Sequence, residues 1–290
     1  MHKSRRAPYF APLVRPLARF NYNVEKSSSL QTPLSTLDSL SFFLIIFELF
    51  LITMSDNRDE GNTSGAKFFG KDNPFELRML QNQSLSANST QLGQAAQYLE
   101  FIFGNKHAWC GGWALRLRGS KRNTEDLDIV VQAPSTADIW DTLVPYDRVT
   151  LFHHRHVMEG GGGHFKIFVN ADDGQLVCVD VLVAGRLTTP ELDAEGVVDE
   201  IQPVLGVAAT GVKRVMSLRW QVRQKLAAGA SRRKMSDYTD LQWLCDQYID
   251  EMKVWIKEED EAQRKKFYHW VLENEFDDER IEVAREGMGF

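Results

Sequence analysis

Cysteine is scarce in this chain of 290 residues, which has only Cys110, Cys178 and Cys245. Three cysteines are too few for a disulfide framework, and their spacing fits no zinc-ligand pattern. Each lies in an apolar stretch of sequence, and free cysteine is among the residue types most often buried. We therefore expect buried thiols in a reducing compartment, which indicates a cytoplasmic protein.

Internal repeats and long apolar runs are also missing. The most apolar run, residues 40–53, is interrupted by Glu48 and is shorter than the ~20 residues that a membrane-spanning helix needs. We expect no stable membrane span. Apolar residues make up 43% and aromatic residues 11% of the chain, which is typical of a globular protein with a buried core. Length and composition predict one domain with appendages or with a helical extension.

Residues 1–53 differ from the rest in charge. They hold six Lys or Arg and three acids, a net charge of +3, so residues 54–290 carry −9 when the whole chain carries −6. Their Arg- and Ser-rich composition fits a targeting segment, which would direct the protein to mitochondria. The alternatives are a mis-extended segment before a true start at Met54, and a membrane anchor. Residues 54–88 are mostly polar and predict a linker or packing arm.

Helix and strand signals alternate over residues 89–210, which we predict as the core. A helix begins at Ser89, with Asn88 or Ser89 as its N-cap. Asp172-Asp173-Gly174 is a hairpin signal between the last two strands. The other predicted elements are strands at 107–110, 148–153, 165–169 and 176–183, a helix at about 136–144, and an irregular segment at 184–210.

Two glycines and two aspartates flank a short predicted helix in the middle of this core. Gly111 and Gly112 follow the first strand and would let the backbone approach a phosphate. After the helix, a β-branched strand carries Asp126 and Asp128, whose side chains point to one face because strand side chains alternate. Two carboxylates on one face at a strand end can hold a divalent metal.

Asp180 interrupts an otherwise apolar strand. Alternate valines over residues 177–183 form one face, and Asp180 lies on the other. A charged group among such residues costs free energy to bury unless it has a partner or a metal. If this strand lies beside that of Asp126 and Asp128, about 4.8 Å away, three acids converge on one metal site. The alternative is that Asp180 pairs with an arginine.

Cations accumulate after residue 210, where a helix is expected at 211–228. Residues 213–234 contain eight cations and no acid. Two interpretations stay open for Lys225 and Arg232: they bind a triphosphate, or they pair with acids and fasten the helices to the sheet. The acids that open the next predicted helix are Asp237 and Asp240.

Histidines gather around a glycine run in residues 153–164. The alternatives are a transition-metal site and a flexible hairpin connection. The histidines lack cysteine partners and regular spacing, which favours the connection. The histidines concerned are His153, His154, His156 and His164, and the glycines are Gly160 to Gly163.

The glycine turn, short helix and Asp-x-Asp strand resemble the nucleotidyltransferase superfold. Gly-Gly-Trp-Ala at 111–114 and Arg-x-Thr-x-Asp-Leu-Asp-Ile at 122–129 are most similar to the stand-alone family related to abortive-infection toxin-type (AbiEii-like) nucleotidyltransferases. The likeness is strongest over residues 90–245. It implies an α+β fold with a nucleotidyltransferase-like mixed β-sheet flanked by helices, and a C-terminal helical extension at 211–290. It also includes the series Lys225, Arg232, Asp237, Asp240 and Leu241.

The resemblance further implies a reaction and roles for the site residues. A nucleotidyl group would pass from a nucleoside triphosphate to a hydroxyl acceptor, with Mg²⁺ or Mn²⁺ ions offsetting the charge of the transition state. Asp126 and Asp128 would hold the ions, and Asp180 would hold the ion that activates the acceptor or act as its base. Gly112 departs from the many members that have serine there. The implied nucleotide-binding residues are Gly111, Gly112, Arg118, Lys121, Arg122, Lys225 and Arg232.

The acceptor is left open between a small molecule, an RNA end and a protein. The charge of −9 over residues 54–290 disfavours long nucleic-acid contacts, which need a basic surface. The basic stretch 213–234 keeps a short RNA end in view. The alternative functions are a non-catalytic nucleotide-binding module and a protein-interaction module on the same fold. The presence of all three carboxylates favours the enzyme.

Overall fold

The computed structural model describes residues 65–69, 74–152, 162–204, 209–232 and 234–290. The chain separates into two compact units, Met1–Gly61 and Asn62–Phe290, and every described residue belongs to the second. None of the helices in this described part is both long and apolar enough to cross a bilayer.

Several sequence predictions concern residues outside these ranges. The expected targeting segment at 1–53 lies wholly outside the described residues, as do residues 54–64 of the expected linker. The histidines and glycines at 153–161 also lie outside them. The proposed divisions of the chain at residues 53, 88 and 210 stay predictions.

A mixed sheet of eight strands forms the centre of the described part. Its spatial order is β1-β4-β5-β6-β3-β2-β8-β7. Three of its neighbouring pairs are parallel (β1 with β4, β3 with β6, β2 with β8) and the other four are antiparallel. The strands are β1 (Lys67–Phe69), β2 (His107–Cys110), β3 (Asp126–Val131), β4 (Val149–Phe152), β5 (His164–Asn170), β6 (Leu176–Val183), β7 (Val198–Ile201) and β8 (Lys213–Met216).

Helices flank this sheet and make up the C-terminal part. Asn88 caps the second helix, where its side chain accepts hydrogen bonds from the backbone N–H groups of Thr90 and Gln91. The predicted α+β class, the mixed sheet with flanking helices and the helical C-terminal region are confirmed. The helices are α1 (Pro74–Ser84), α2 (Ser89–Phe103), α3 (Gly111–Leu117), α4 (Thr136–Leu143), α5 (Leu218–Arg232), α6 (Met235–Trp255), α7 (Glu261–Asn274) and α8 (Asp278–Gly287).

The two faces of the central strands have different surroundings. Leu127 and Ile129 of β3 join the main hydrophobic core with the apolar stripe of α2. Asp126 and Asp128 alternate with them and therefore lie on the opposite face. The strand thus uses one face for the main core, whereas the other carries the two aspartates at its start and the buried Val130 further along.

The segment around residues 198–218 differs from its prediction. We expected an irregular stretch at 184–210 and a helix at 211–228, but β7 and β8 form an antiparallel pair here. β8 also pairs with β2 through Val215 opposite Trp109. The helix prediction was therefore wrong at its start, and α5 begins only at Leu218.

The C-terminal helices have a hydrophobic core of their own. Leu218, Val222 and Leu226 of α5 pack with buried residues of α6, α7 and α8, and Leu115 of α3 joins them. Because α3 directly follows β2, this contact ties the helical region to the glycine turn.

Candidate active site

Asp126 and Asp128 lie at the start of β3, in the middle of the sheet. β6 runs parallel beside β3, with Asp128 opposite Asp180 and Asp126 opposite Cys178. On the other side of β3, Asp128 is opposite Cys110, the last residue of β2. The structure therefore brings the three predicted carboxylates to one face of two neighbouring strands.

The carboxyl group of Asp128 has no ion-pair partner in the described residues. Its side chain has no hydrogen bond there either, and Lys225 and Lys166 only partly offset the rise in its pKa. Burial, followed by the charges of Asp126 and Asp180, raises the pKa of Asp128 to about 7. Burial therefore favours the protonated form of Asp128, and a cation placed beside it would favour the ionised form.

Asp180, in contrast, has two partners on the next strand, a lysine and a histidine. His164 Nε2 lies 3.0 Å from Asp180 Oδ1, and Lys166 Nζ donates a hydrogen bond to the same oxygen. Although burial acts to raise the pKa of Asp180, His164 and Lys166 hold it below its usual value. The structure thus shows Asp180 paired, as the alternative interpretation of the sequence expected. Its partners are a lysine and a histidine, whereas an arginine was expected.

The glycine turn packs tightly against side chains of this site. Gly111 has a φ of +57°, and a Cβ there would lie 1.9 Å from Asp128 Oδ2. A Cβ on Gly112 would lie 2.6 Å from Thr124 Oγ1 and 2.7 Å from Arg122 Nη2. The absence of side chains at both positions therefore lets Asp128 and Arg122 approach the turn.

Arg122 and Lys225 belong to a buried ionic network. Arg122 Nε donates a 2.6 Å hydrogen bond to Asp240 Oδ1, and Lys225 Nζ lies 2.7 Å from Asp240 Oδ2. Lys225 Nζ also donates to Asp237 Oδ1 at 3.1 Å. Arg232 forms two further hydrogen bonds to Asp237, at 2.8 and 3.0 Å. Both acids are 1% exposed, so this network fastens α5, α6 and the segment before β3 to one another.

The aspartates of the sheet also affect the pKa values of Lys225 and Arg232. Burial acts to lower the pKa of Lys225, but Asp240, Asp237 and Asp128 raise it. Asp237 is the main cause of the raised pKa of Arg232, to which Asp128 and Asp126 also contribute. The pairing of Asp237 and Asp240 with the helix cations is therefore present, and binding of a triphosphate by Lys225 or Arg232 remains a prediction.

Arg118 and Lys121 have different positions from Arg122. Arg118 Nη2 is 2.5 Å from Asp199 Oδ2 and donates to Met216 O at 3.2 Å, so β7 and β8 hold it. Lys121 is exposed and has no ion pair within the described ranges. The structure brings Arg122, and neither of these two, into contact with the glycine turn.

The acids of this face fit one divalent cation better than two. Asp126 and Asp128 offer carboxylate oxygens, the ligands that Mg²⁺ and Mn²⁺ prefer, and the side chain of Asp128 has no partner in the part of the chain that the structure describes. Asp180 is already engaged by Lys166 and His164. Among the described residues, no group of three or more His, Cys, Asp or Glu side chains is arranged to hold a metal ion.

Three contacts of the site were not predicted from the sequence. They are those of Lys166 and of His164 with Asp180, and that of Thr124 with Asp126. Thr124 Oγ1 donates to Asp126 O at 3.1 Å and lies 3.3 Å from Asp126 Oδ1. A usable signal existed for Lys166. The turn at Asp172-Asp173-Gly174 fixes the register of the hairpin, and that register places Lys166 directly opposite Asp180.

Comparison with protein-family models and with curated proteins finds no match. Among solved structures, the chain is similar to MenT4, a nucleotidyltransferase toxin from Mycobacterium tuberculosis H37Rv. The identity is 18%, the match covers 73% of this chain and 70% of that chain, and the TM-score is 0.38. MenT4 belongs to the class of protein that the sequence resemblance named.

Proposed function

We propose that this protein transfers a nucleotidyl group from a nucleoside triphosphate to a hydroxyl acceptor in a reaction that depends on Mg²⁺ or Mn²⁺. The observation that carries the proposal is Asp128. It is a partly buried carboxyl group whose side chain has no partner among the described residues, and it lies beside Asp126 and opposite Asp180. Structural acids normally have partners, whereas such uncompensated charge is typical of functional sites.

The reaction forms one bond at the α-phosphorus and breaks another. The acceptor oxygen bonds to the α-phosphorus while the bond from that phosphorus to the oxygen bridging to the β-phosphorus breaks. Pyrophosphate leaves with the bonding electrons, and the hydroxyl proton passes to Asp180 or to water. Asp126 and Asp128 would hold a divalent ion, which would supply positive charge to offset the charge developing in the transition state.

The remaining roles belong to the glycine turn and the cations around it. The backbone at Gly111 and Gly112 would approach the β- and γ-phosphates, and Arg122, beside Gly112, would bind their oxygens. Asp240 holds both Arg122 and Lys225 in place. Because these side chains are fixed before the nucleotide arrives, little entropy is lost when they bind it.

The acceptor that fits best is a small molecule or a protein hydroxyl. Many cations of the basic stretch 213–234 are neutralised by acids of the same chain, which weakens the case for RNA. Lys213 pairs with Glu100, and Arg219 with Glu258 and Glu259. Arg223 also pairs with Glu259.

The first test is binding of nucleoside triphosphates to the full chain, measured by calorimetry with and without Mg²⁺. We expect Mg²⁺-dependent binding in the wild type and its loss in Asp128→Asn. A matched control is Asp172→Asn, which removes an exposed carboxylate paired with Arg148 and should bind as the wild type does. Wild-type protein that binds no nucleotide at about millimolar concentration would refute the proposal.

The second test is transfer itself. The full chain is incubated with each α-labelled nucleoside triphosphate and with protein, RNA or small-molecule fractions, and covalent label is followed. Label that requires Mg²⁺ and Asp128 identifies the acceptor class. Binding without transfer to any fraction would favour a non-catalytic nucleotide-binding module, a candidate that the engagement of Asp180 by Lys166 also favours.

A further inference from the structure

Lys166 lies where three carboxylates meet. It is on β5, directly opposite Asp180 on β6, and β6 in turn pairs with β3, which carries Asp126 and Asp128. Its ammonium group contacts Asp180 Oδ1, as does His164 Nε2. The side chain of Lys166 is 27% exposed, and its hydrogen bond to Asp180 places its ammonium group on the face of the sheet that carries the carboxylates.

The charges at this face are unevenly distributed. Asp180 is compensated by Lys166 and His164, whereas Asp128 has no partner within the described ranges. A second divalent ion on Asp180 would have to displace Lys166 or lie beside its positive charge. Within the described residues neither Asp126 nor Asp128 forms an ion pair, so an ion bound there would have no cation to displace, although Lys225 and Lys166 act on Asp128 through space.

We propose that Lys166 takes the place of a second metal ion, so that the site binds a single divalent cation at Asp126 and Asp128. The inference rests on the proposed function and deepens it. In a two-ion site, the second ion lies next to the attacking oxygen and offsets its charge. Here the Lys166 ammonium, fixed by Asp180, supplies that positive charge on the acceptor side, and His164 helps to hold Asp180 in place.

The test counts ions. Mn²⁺ alone is titrated into the full chain by calorimetry and by electron paramagnetic resonance of free Mn²⁺, for the wild type, Lys166→Met and Lys166→Arg. We expect one ion per chain in the wild type and in Lys166→Arg, which keeps the charge. Lys166→Met removes the charge at similar length and should bind two ions. Lys106→Met, a change at an exposed lysine outside the site, should bind one.

Each result decides the question. One ion in the wild type and two in Lys166→Met support the inference. Two ions in the wild type would overturn the inference and leave the proposed function standing. A single ion in Lys166→Met would have the same two consequences. No ion bound by the wild type would overturn both the inference and the metal-dependent function. The two failures are therefore distinguishable.

A second variant keeps the inference testable if Lys166→Met does not fold. If Asp180 is held by Lys166 and does not ligate the ion, Asp180→Asn should lower Mn²⁺ affinity by less than about tenfold, because a charge outside the coordination shell acts only through space. Asp128→Asn should abolish binding. Equal loss of Mn²⁺ binding in both variants would show that Asp180 is a ligand and would overturn the inference.

Discussion

Asp128 lies directly opposite Asp180 in the parallel register of β3 and β6, yet the two carboxylates are held in opposite ways. Asp180 has Lys166 and His164 as partners, and its pKa is held below the usual value. Asp128 has no partner in the described part of the chain, and burial together with Asp126 and Asp180 raises its pKa to about 7. The sheet thus holds a carboxyl group that is costly to ionise without a cation beside it, which is the property expected of a cation-binding site and not of a structural core.

Replacing Asp128 with asparagine should stabilise the metal-free protein while it removes nucleotide binding. A carboxyl group whose pKa is raised on folding favours the folded state below its unfolded pKa of about 3.9, and that contribution is lost as the pH rises through about 7. At about pH 8 we expect the variant to gain on the order of 1–2 kcal/mol, or a few degrees in melting temperature. Differential scanning calorimetry of the variant and the wild type measures the difference in melting temperature.

The pH dependence of this gain in stability serves as the control for the prediction. The advantage of Asp128→Asn over the wild type should shrink as the pH is lowered from about 8 to about 4, because the wild-type carboxyl group then becomes neutral in both states. Asp172→Asn, outside the site, should show no gain at any pH. A variant less stable than the wild type at about pH 8 would mean that Asp128 has a structural partner.

Metal affinity should depend on pH in a way that reports the same group. Because a divalent ion must displace the proton of Asp128, affinity for Mn²⁺ should increase about tenfold for each unit by which the pH is raised toward about 7. At higher pH the affinity should level off. Calorimetry in two buffers of different ionisation enthalpy would count the proton released. An affinity that is flat from about pH 5 to about pH 8 would argue against Asp128 as a ligand.

The limits of the sequence prediction are visible at β8. Val215, Leu218, Val222 and Leu226 have helical spacing, and the last three do form the buried stripe of α5. Val215, however, belongs to a strand of four residues that pairs with Trp109 on β2. So short a strand has no period of its own, and the partner that stabilises it is distant in sequence. Local spacing therefore placed Val215 in the helix.

The acids of the site could be predicted, but their partners could not all be predicted. Asp126, Asp128 and Asp180 follow from strand alternation, and the parallel pairing of β3 with β6 brings them together. Lys166 required the register of the β5–β6 hairpin, which the turn at 172–174 contained. The network of Asp237 and Asp240 with Arg122 joins residues more than a hundred positions apart, and no pattern within one sequence specifies such a contact.

Asp237 should be required for stability more than for nucleotide binding. It is 1% exposed and holds both Lys225 and Arg232. Asp237→Asn would leave these cations with less compensation, and we expect a loss of about 3 kcal/mol in the free energy of unfolding. Although burial opposes it, Arg232 and Lys225 hold the pKa of Asp237 below its usual value. The loss should therefore be full at neutral pH and shrink below about pH 4.

Urea denaturation of the two proteins measures this difference. Glu282→Gln, which removes a fully exposed partner of Arg285, is the matched control and should leave the unfolding midpoint unchanged. If folded Asp237→Asn binds nucleotide as the wild type does, the fastening interpretation holds for Asp237. A variant of normal stability that loses nucleotide affinity would instead give Asp237 a direct role in binding.

Gly112→Ser should weaken nucleotide binding, although serine occupies this position in many members of the family that the sequence resembles. In this chain, a Cβ on Gly112 would lie 2.6 Å from Thr124 Oγ1 and 2.7 Å from Arg122 Nη2. The added side chain must displace Arg122 from the turn, so we expect about a tenfold loss in affinity for a nucleoside triphosphate, which is about 1.4 kcal/mol. Calorimetry of the folded variant measures it.

The double variant Gly112→Ser/Thr124→Ala tests the cause of that loss. Removing the Thr124 hydroxyl relieves one of the two close approaches and gives the serine room, so part of the lost affinity should return. Thr124→Ala alone is the control, and its effect must be subtracted to obtain the coupling between the two positions. A serine variant that binds nucleotide more tightly than the wild type would mean that the hydroxyl contacts phosphate and that Arg122 can move aside without loss.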